Sequence, residues 1–192
     1  MNLLTYNKFF SFSFLNFVIQ GISLLTLLFM CAVAFASEDE VILVFDNREW
    51  ELGWSQNKDA SGNDKSVFEE YILKGENIDN WSELVTIQFF PGLNKDTTLD
   101  VYEAVNKQGI ISVCPNTVWD SYEQQKDERS WYFTIKNCQG QPDQSELARC
   151  IKTGKGIYVF HYAIKKAPMP EELRQIWMKN LKAIKISTSK AR

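Results

Sequence analysis

The stretch Gly156-Ile-Tyr-Val-Phe-His-Tyr-Ala-Ile164 is apolar along both sides of an extended chain. Side chains of a strand alternate between its two faces, so this composition is typical of a strand that is buried on both sides. The stretch therefore predicts the central strand of a sheet. His161 lies inside it, on the same side as Ile157 and Val159.

The segment before this strand has a helical pattern. A helix is predicted over residues 143–154, because its first residue is an aspartate that can cap it and Glu146 completes a capping box. The segment ends in a glycine, which suits a helix stop. Leu147, Cys150 and Ile151 would then form the buried stripe of this helix.

The segment after the strand predicts the last helix. Pro170-Glu171-Glu172 places a proline in the first turn and two acids at the positive end of the helix. Its buried stripe is expected to consist of Leu173, Ile176, Trp177, Leu181 and Ile184.

Upstream, alternation and turn residues predict strands over residues 41–45, 49–54, 84–90, 110–113, 118–122 and 131–136. A helix is expected from Thr97 to Gln108, stopped by Gly109, with Val101, Tyr102 and Val105 facing inward. A single helical turn is expected to start at Asn80, and residues 67–73 fit a helix or a strand equally.

These elements predict an α+β fold. Several strands follow one another as hairpin-like pairs, so we expect a mostly antiparallel sheet with about three helices packed on one face. Residues 37–192 are long enough to form a single globular domain with its own core.

The N-terminus predicts export. No charged residue occurs from Phe9 to Ser37, the densest apolar run is Gly21–Phe35, and Ala34-Phe35-Ala36 is a small-x-small cleavage site. Residues 1–36 are therefore interpreted as a signal peptide, which places the domain in the periplasm or outside the cell. An uncleaved membrane anchor is the alternative, since the uncharged run is long enough to span a bilayer.

Three cysteines follow the predicted cleavage site, which allows one disulfide and one free thiol. Cys114 and Cys138 each lie at the end of a predicted element, where a bridge is easily made, whereas Cys150 is expected to be buried. We expect a Cys114–Cys138 disulfide that contributes roughly 3 kcal/mol. A Cys138–Cys150 bridge is the alternative.

Several segments resemble a group of small exported proteins of Gram-negative bacteria. The group is marked by an Asn-Trp-(Ser/Thr)-Glu-(Leu/Met)-Val-Thr-Val-Gln segment, which is similar to Asn80–Gln88 here. The W-x-L-G run ending at Gly53, the Cys114-Pro115 pair and Trp131–Cys138 extend the resemblance. It implies the same Cys114–Cys138 bridge and an exported location, and it implies no activity.

Two residues are candidates for nucleophilic chemistry. Cys150 could be activated by His161, the one histidine of the chain. The competing interpretation, a core thiol and a buried, hydrogen-bonded histidine, is favoured. We therefore expect no catalytic residues, no cofactor and no metal site.

Four other residues are candidates for a surface or cleft site. Glu83 beside Trp81 could be a carboxylate with a raised pKa, although a role in capping the local turn is favoured. Trp50 and Trp54 are expected to share one face of a strand with Leu52. They would stack on a ligand if exposed or join the core if buried.

The net charge of −3 argues against nucleic-acid binding. We expect a non-enzymatic binding protein with an unidentified protein or small ligand as its partner. Two alternatives are a secreted hydrolase or transferase that uses Cys150–His161 or a carboxylate near Trp81, and a membrane-anchored envelope component.

Overall fold

The computed structural model describes residues 39–58 and 66–187, so the predicted leader, residues 1–36, lies outside the described residues. The strands are β1 (Glu40–Ile42), β2 (Trp50–Lys58), β3 (Ser66–Leu73), β4 (Glu83–Pro91), β5 (Val118–Gln124), β6 (Glu128–Ile135), β7 (Gln144–Lys152), β8 (Gly156–Ile164) and β9 (Lys185–Ser187). The helices are α1 (Leu93–Asp96), α2 (Leu99–Val113) and α3 (Glu171–Ala183), and a 3-10 turn spans Ile78–Asn80.

The fold is α+β, as predicted. Seven strands form one sheet in the order β2-β3-β4-β8-β7-β6-β5, and β1 pairs separately with β9; these pairings are all antiparallel. The chain crosses from β4 to the far edge through α1 and α2, then returns by a meander until β8 pairs with β4. β8 is the fourth of the seven strands, which confirms its central position.

The two long helices cover opposite faces of the sheet. Trp177 and Leu181 of α3 pack on the side that carries Phe160, which we call the α3 face. Leu99 of α2 packs on the side that carries Val159, the α2 face. The prediction that the helices share one face is wrong, because both sides of β8 are apolar and each needs a cover.

The segment predicted as a helix over residues 143–154 is strand β7. It pairs with β6 on one side and β8 on the other, with Leu147 on the α3 face and Cys150 on the α2 face. Its residues are good helix formers, but propensities differ by less than about 1 kcal/mol per residue. The backbone hydrogen bonds that this segment forms with both β6 and β8 outweigh that preference.

Helix α2 is longer than predicted. It begins after Thr98, whose hydroxyl accepts a hydrogen bond from the backbone of Val101, and it runs through Gly109 to Val113. The predicted strand over residues 110–113 is therefore wrong, because one internal glycine costs a helix only about 1 kcal/mol. Val101 is 53% exposed and Val105 is 66% exposed, so neither faces inward as expected.

A buried carboxylate fixes α2 on the sheet. Glu103 accepts hydrogen bonds from the indole of Trp119 and the hydroxyl of Ser121, and it forms an ion pair with Arg129. The C-terminus of α2 is fixed by the Cys114–Cys138 disulfide, the predicted bridge, which leaves Cys150 as a free, buried thiol. Both attachments lie toward β5 and β6, so α2 covers only that half of its face.

Helix α3 begins after Pro170, as expected, and buries Trp177 and Leu181. Ile176 is 39% exposed and does not belong to the buried stripe, which corrects the prediction for that position. The helix ends on a buried guanidinium: Arg149 of β7 donates hydrogen bonds to the carbonyl oxygens of Leu181 and Ile184.

Candidate functional site

The four residues predicted as a surface or cleft site do not form one site. Trp50 and Glu83 lie on the α3 face, whereas Trp54 and Trp81 lie on the α2 face. The prediction that Trp50, Leu52 and Trp54 share one side of a strand is therefore wrong for Trp54.

A β-bulge at Gly53 separates the two tryptophans. Leu52 is opposite Tyr71 and Trp54 is opposite Glu70, so Gly53 is an extra residue that reverses the alternation. A Cβ atom on Gly53 would lie 3.1 Å from the side chain of Ile72, which is tighter than ordinary contact. A glycine is therefore well suited to this position.

Trp50 belongs to the core of the α3 face. Its ring meets Trp177 edge-on with centroids 5.4 Å apart, stacks against Phe45 at 5.7 Å, and donates through Nε1 to Asp46. Trp54, by contrast, is 39% exposed and meets Phe68 edge-on at 5.2 Å. Only Trp54 of this pair offers a ring surface to solvent.

Glu83 holds the loop before β2 against the sheet. Its carboxylate accepts two hydrogen bonds of 2.6 Å from Arg48 and another from the Tyr162 hydroxyl. Burial and the nearby Glu83 carboxylate raise the pKa of Tyr162 above its ordinary value. Glu83 does not cap the local turn, whose cap is the side chain of Asn77.

Trp81 lies on the opposite face from Glu83. It packs against Ile72, Leu84 and Ala163, and Lys165 Nζ lies 4.4 Å from its ring centroid. The two residues thus do not form the predicted carboxylate beside an aromatic wall, and Trp81 serves to cover one end of the α2 face.

Cys150 and His161 are on neighbouring strands but are not opposite one another. Cys150 is opposite Val159, and His161 is opposite Ala148. Cys150 is fully buried, and this burial, with a smaller effect of the Glu103 charge, raises the pKa of its thiol to about 12. The thiol is therefore protonated at neutral pH, which is a poor state for a nucleophile.

We expect Cys150 to resist alkylation in the folded protein. Iodoacetamide at pH 8 should leave it unmodified, because the reactive thiolate is scarce and the side chain is out of contact with solvent. Peptide mapping by mass spectrometry separates Cys150 from the other cysteines, and a sample unfolded in urea provides the control that must react. Labelling of native Cys150 at the rate of a free cysteine would contradict the buried position.

His161 is held by a carboxylate. Its Nδ1 lies 2.6 Å from Glu146 Oε1, and its side chain is 17% exposed. Within the described part of the chain, Nε2 has no hydrogen-bond partner. When the ring is neutral and Nδ1 donates to Glu146, Nε2 carries a lone pair that can accept a hydrogen bond.

His161 belongs to a row of polar side chains that crosses the sheet on the α2 face. Thr86 of β4 is directly opposite His161 on one side and opposite Glu70 of β3 on the other, and Glu70 is in turn opposite Trp54. Side chains in such positions have Cβ atoms about 5 Å apart. We call Glu70, Thr86, Gln88, Glu146 and His161 the polar strip.

The polar strip separates two apolar clusters. On one side lies the cluster under α2, which contains Val159 and Cys150. On the other lies the cluster of Ile72, Leu84 and Ala163. A polar band between two apolar regions of one sheet face is not needed to close a core, so it is a candidate binding site.

Two members of the polar strip besides His161 lack partners within the described residues. Thr86 is only 7% exposed, yet no hydrogen bond of its hydroxyl is found there. Glu70 is half-buried and forms neither a hydrogen bond nor an ion pair in this part of the structure; desolvation raises the pKa of its carboxyl. Buried polar groups are normally hydrogen-bonded, so the unpartnered Nε2 of His161 in the row with Thr86 and Glu70 marks the polar strip as a candidate binding site.

Most of the polar strip is not evident from the sequence alone. Glu146 was expected to complete a capping box, and Glu70, Thr86 and Gln88 were not predicted as site residues. The sequence does contain one indication of this site. Phe68, Glu70 and Ile72 alternate along one strand, so an acid lies between two apolar residues on the same face of that strand.

No group of three or more His, Cys, Asp or Glu side chains in residues 39–58 and 66–187 is arranged to hold a metal ion. No helix in these ranges is long and apolar enough to cross a membrane.

The fold and the site together define a small α+β protein with a seven-stranded antiparallel sheet, one face of which is half covered. Residues 40–190 match the model of an uncharacterised protein family, and the chain belongs to that family. Neither a curated protein nor a solved structure matches the chain significantly.

Proposed function

We propose that this protein is a non-enzymatic binding protein that acts in the periplasm or outside the cell, and that it binds its partner at the polar strip. The observation that carries the proposal is the row Glu70, Thr86 and His161, which has unpartnered polar groups beside the exposed ring of Trp54. Polar groups that converge beside an aromatic surface are the usual means by which a protein orients a ligand.

The exported location rests on three supports. The predicted leader over residues 1–36 directs the chain out of the cytoplasm. Asn80–Gln88 resembles a segment of exported proteins of Gram-negative bacteria. The Cys114–Cys138 disulfide is of a kind that persists in oxidising compartments.

The contacts of the predicted catalytic candidates support binding over catalysis. Cys150 is buried and protonated, and the imidazole of His161 is engaged by Glu146. Glu83, the other predicted candidate, is occupied by Arg48 and Tyr162. These contacts give Cys150 and Glu83 structural roles, and they pair His161 with a carboxylate instead of with the Cys150 thiol.

The test compares two exposed apolar side chains on opposite faces of the same strand. Protein is cross-linked in native cells, recovered from envelope and culture supernatant, and analysed as wild type, Trp54→Thr and Leu52→Thr. Leu52, which is 51% exposed, is the matched control. We expect Trp54→Thr to lower the yield of the cross-linked partner about tenfold, as loss of an aromatic anchor does at interfaces, and Leu52→Thr to leave it unchanged.

Equal yields from the two variants would contradict binding on the α2 face. The same samples report the N-terminus by mass spectrometry, and a start at Ser37 is the expected result. An intact Met1 would instead favour the membrane-anchored alternative.

A further inference from the structure

We propose that the polar strip binds an organic cation, namely the ammonium or guanidinium group of a ligand. This inference rests on the proposed binding function and adds the chemical class of the ligand. Three features carry it: an unpaired carboxylate, a set of neighbouring groups that can all accept hydrogen bonds, and an exposed aromatic ring.

The unpaired carboxylate is Glu70. It lies on the α2 face and is half-buried, with no cation in contact with it among the described residues. Burial penalises its charged form, so an incoming cation would restore a partner to a carboxylate that is otherwise costly to ionise. A charge-assisted hydrogen bond of this kind is about twice as strong as a neutral one.

The acceptors lie in the same row as Glu70 or next to that row. Thr86, a residue that is 7% exposed, lies between Glu70 and His161. The hydroxyl of Thr86 and the amide carbonyl of Gln88, two residues along β4, can accept hydrogen bonds, and Nε2 of His161 has no partner among the described residues. An ammonium group carries three N–H donors and no acceptor, so it complements this set.

The aromatic ring is Trp54. It stands directly opposite Glu70 on β2, and its ring is held edge-on to Phe68 while 39% of the residue remains exposed. A cation over an indole face gains roughly 0.5–1 kcal/mol at an exposed site. A carboxylate beside an indole is therefore a suitable receptor for an organic cation, whereas the set lacks the three clustered ligands that a metal ion would require.

Glu69 provides a matched control for the substitution of Glu70. The two glutamates are adjacent on β3, but Glu69 points to the α3 face, where it accepts a hydrogen bond from Tyr71. Glu70→Gln removes the unpaired carboxylate from the polar strip with little change of shape, and Glu69→Gln removes one charge from the same strand on the other side. The two variants have the same net charge.

The experiment is an NMR titration of the ¹⁵N-labelled protein with small probes. The cationic probes are Nα-acetyl-lysine methylamide, Nα-acetyl-arginine methylamide and spermidine, and the neutral probe is Nα,Nε-diacetyl-lysine methylamide. We expect the cations to shift the backbone amides of Glu70, Thr86 and His161 and the indole N–H of Trp54. Tighter binding of the amino-acid probes would identify a peptide side chain as the source of the cation, and tighter binding of spermidine a free amine.

Glu70→Gln should weaken binding of the cations about tenfold, and Glu69→Gln should leave it unchanged, because only the former loses a charge-assisted hydrogen bond. Glu70→Gln should not lower the urea midpoint, since the native carboxylate has no partner to lose. Shifts confined to other surfaces, no shifts, or equal binding of the neutral probe would overturn the inference.

The failure of the cation inference can be told apart from the failure of the proposed function. If the cross-linked partner depends on Trp54 but the probes do not bind at the polar strip, the binding face stands and the ligand class is wrong. If the cross-linked partner does not depend on Trp54, the proposed function itself fails.

Discussion

Replacing Arg149 with methionine is expected to lower the free energy of unfolding by about 3 to 5 kcal/mol. Arg149 is 6% exposed and extends from β7 under the end of α3. It donates to the carbonyl oxygens of Leu181, Lys182 and Ile184, and it pairs with Glu128 at 2.8 Å. The methionine would fill most of the volume but would leave buried carbonyl groups without a donor.

The electrostatic part of this effect comes from the helix terminus. The last carbonyl groups of α3 point their negative ends toward the guanidinium, and a cation in this position also interacts favourably with the helix dipole. Because Arg149 belongs to β7, its removal also breaks the hydrogen bonds that link the end of α3 to that strand.

Urea unfolding followed by circular dichroism measures the effect, and Lys182→Met is the control. Lys182 is a cation of the same helix end, but its side chain is 71% exposed and pairs only with Glu123. Exposed pairs contribute at most about 1 kcal/mol, so the control should change little. Equal effects of the two substitutions would show that the buried hydrogen bonds of Arg149 do not stabilise the helix end.

Those parts of the fold with a strong local signal could be predicted from the sequence. Residues 156–164 form the central strand because apolar residues occupy both of its sides, and α3 begins where Pro170 allows it to begin. The Cys114–Cys138 disulfide followed from the position of each cysteine at the end of an element. In these cases the local pattern and the tertiary environment favour the same structure.

The prediction failed where the tertiary environment decides. The composition of residues 144–152 favours a helix, but β6 and β8 can be joined only if that segment is extended. Gly109 is a plausible helix end, but the Cys114–Cys138 disulfide holds the helix against the sheet beyond it. Neither constraint is visible in the residues of the segment itself.

The site could not be predicted because it depends on register. A bulge at Gly53 places Trp54 on the α2 face, and the row formed by Glu70, Thr86 and His161 requires three strands from distant parts of the chain. A shift of one residue in any of them would move its side chain to the other face. The sequence shows each residue, but it does not show which residues are opposite one another.

Replacing Trp177 with alanine is expected to lower the free energy of unfolding by about 3 to 5 kcal/mol. Trp177 is 1% exposed, its ring stacks on Tyr162 with centroids 4.1 Å apart, and Trp50 meets it edge-on. An alanine would leave a cavity among three elements, α3, β8 and β2, so no single movement of one element could fill it.

Ile176, the residue before Trp177 in α3, provides the control. Ile176→Ala, on the solvent side of α3, should cost less than about 1 kcal/mol, because the side chain is partly exposed and alanine is a good helix former. The two variants separate the burial of the tryptophan from the general effect of shortening a side chain in this helix. A similar loss of stability in both would show that Trp177 is not the residue that packs α3 onto the sheet.

The Trp177→Ala substitution also tests whether the two faces of the sheet are independent. Trp177 contacts Tyr162, whose hydroxyl donates to Glu83, and Glu83 holds Arg48 and with it the loop that leads into β2. The polar strip lies on the opposite side of these strands and shares none of these side chains. In Trp177→Ala protein that is still folded, the titration of the polar strip with the lysine probe should therefore give the wild-type affinity. A loss of affinity would show that the packing under α3 sets the register on which the site depends.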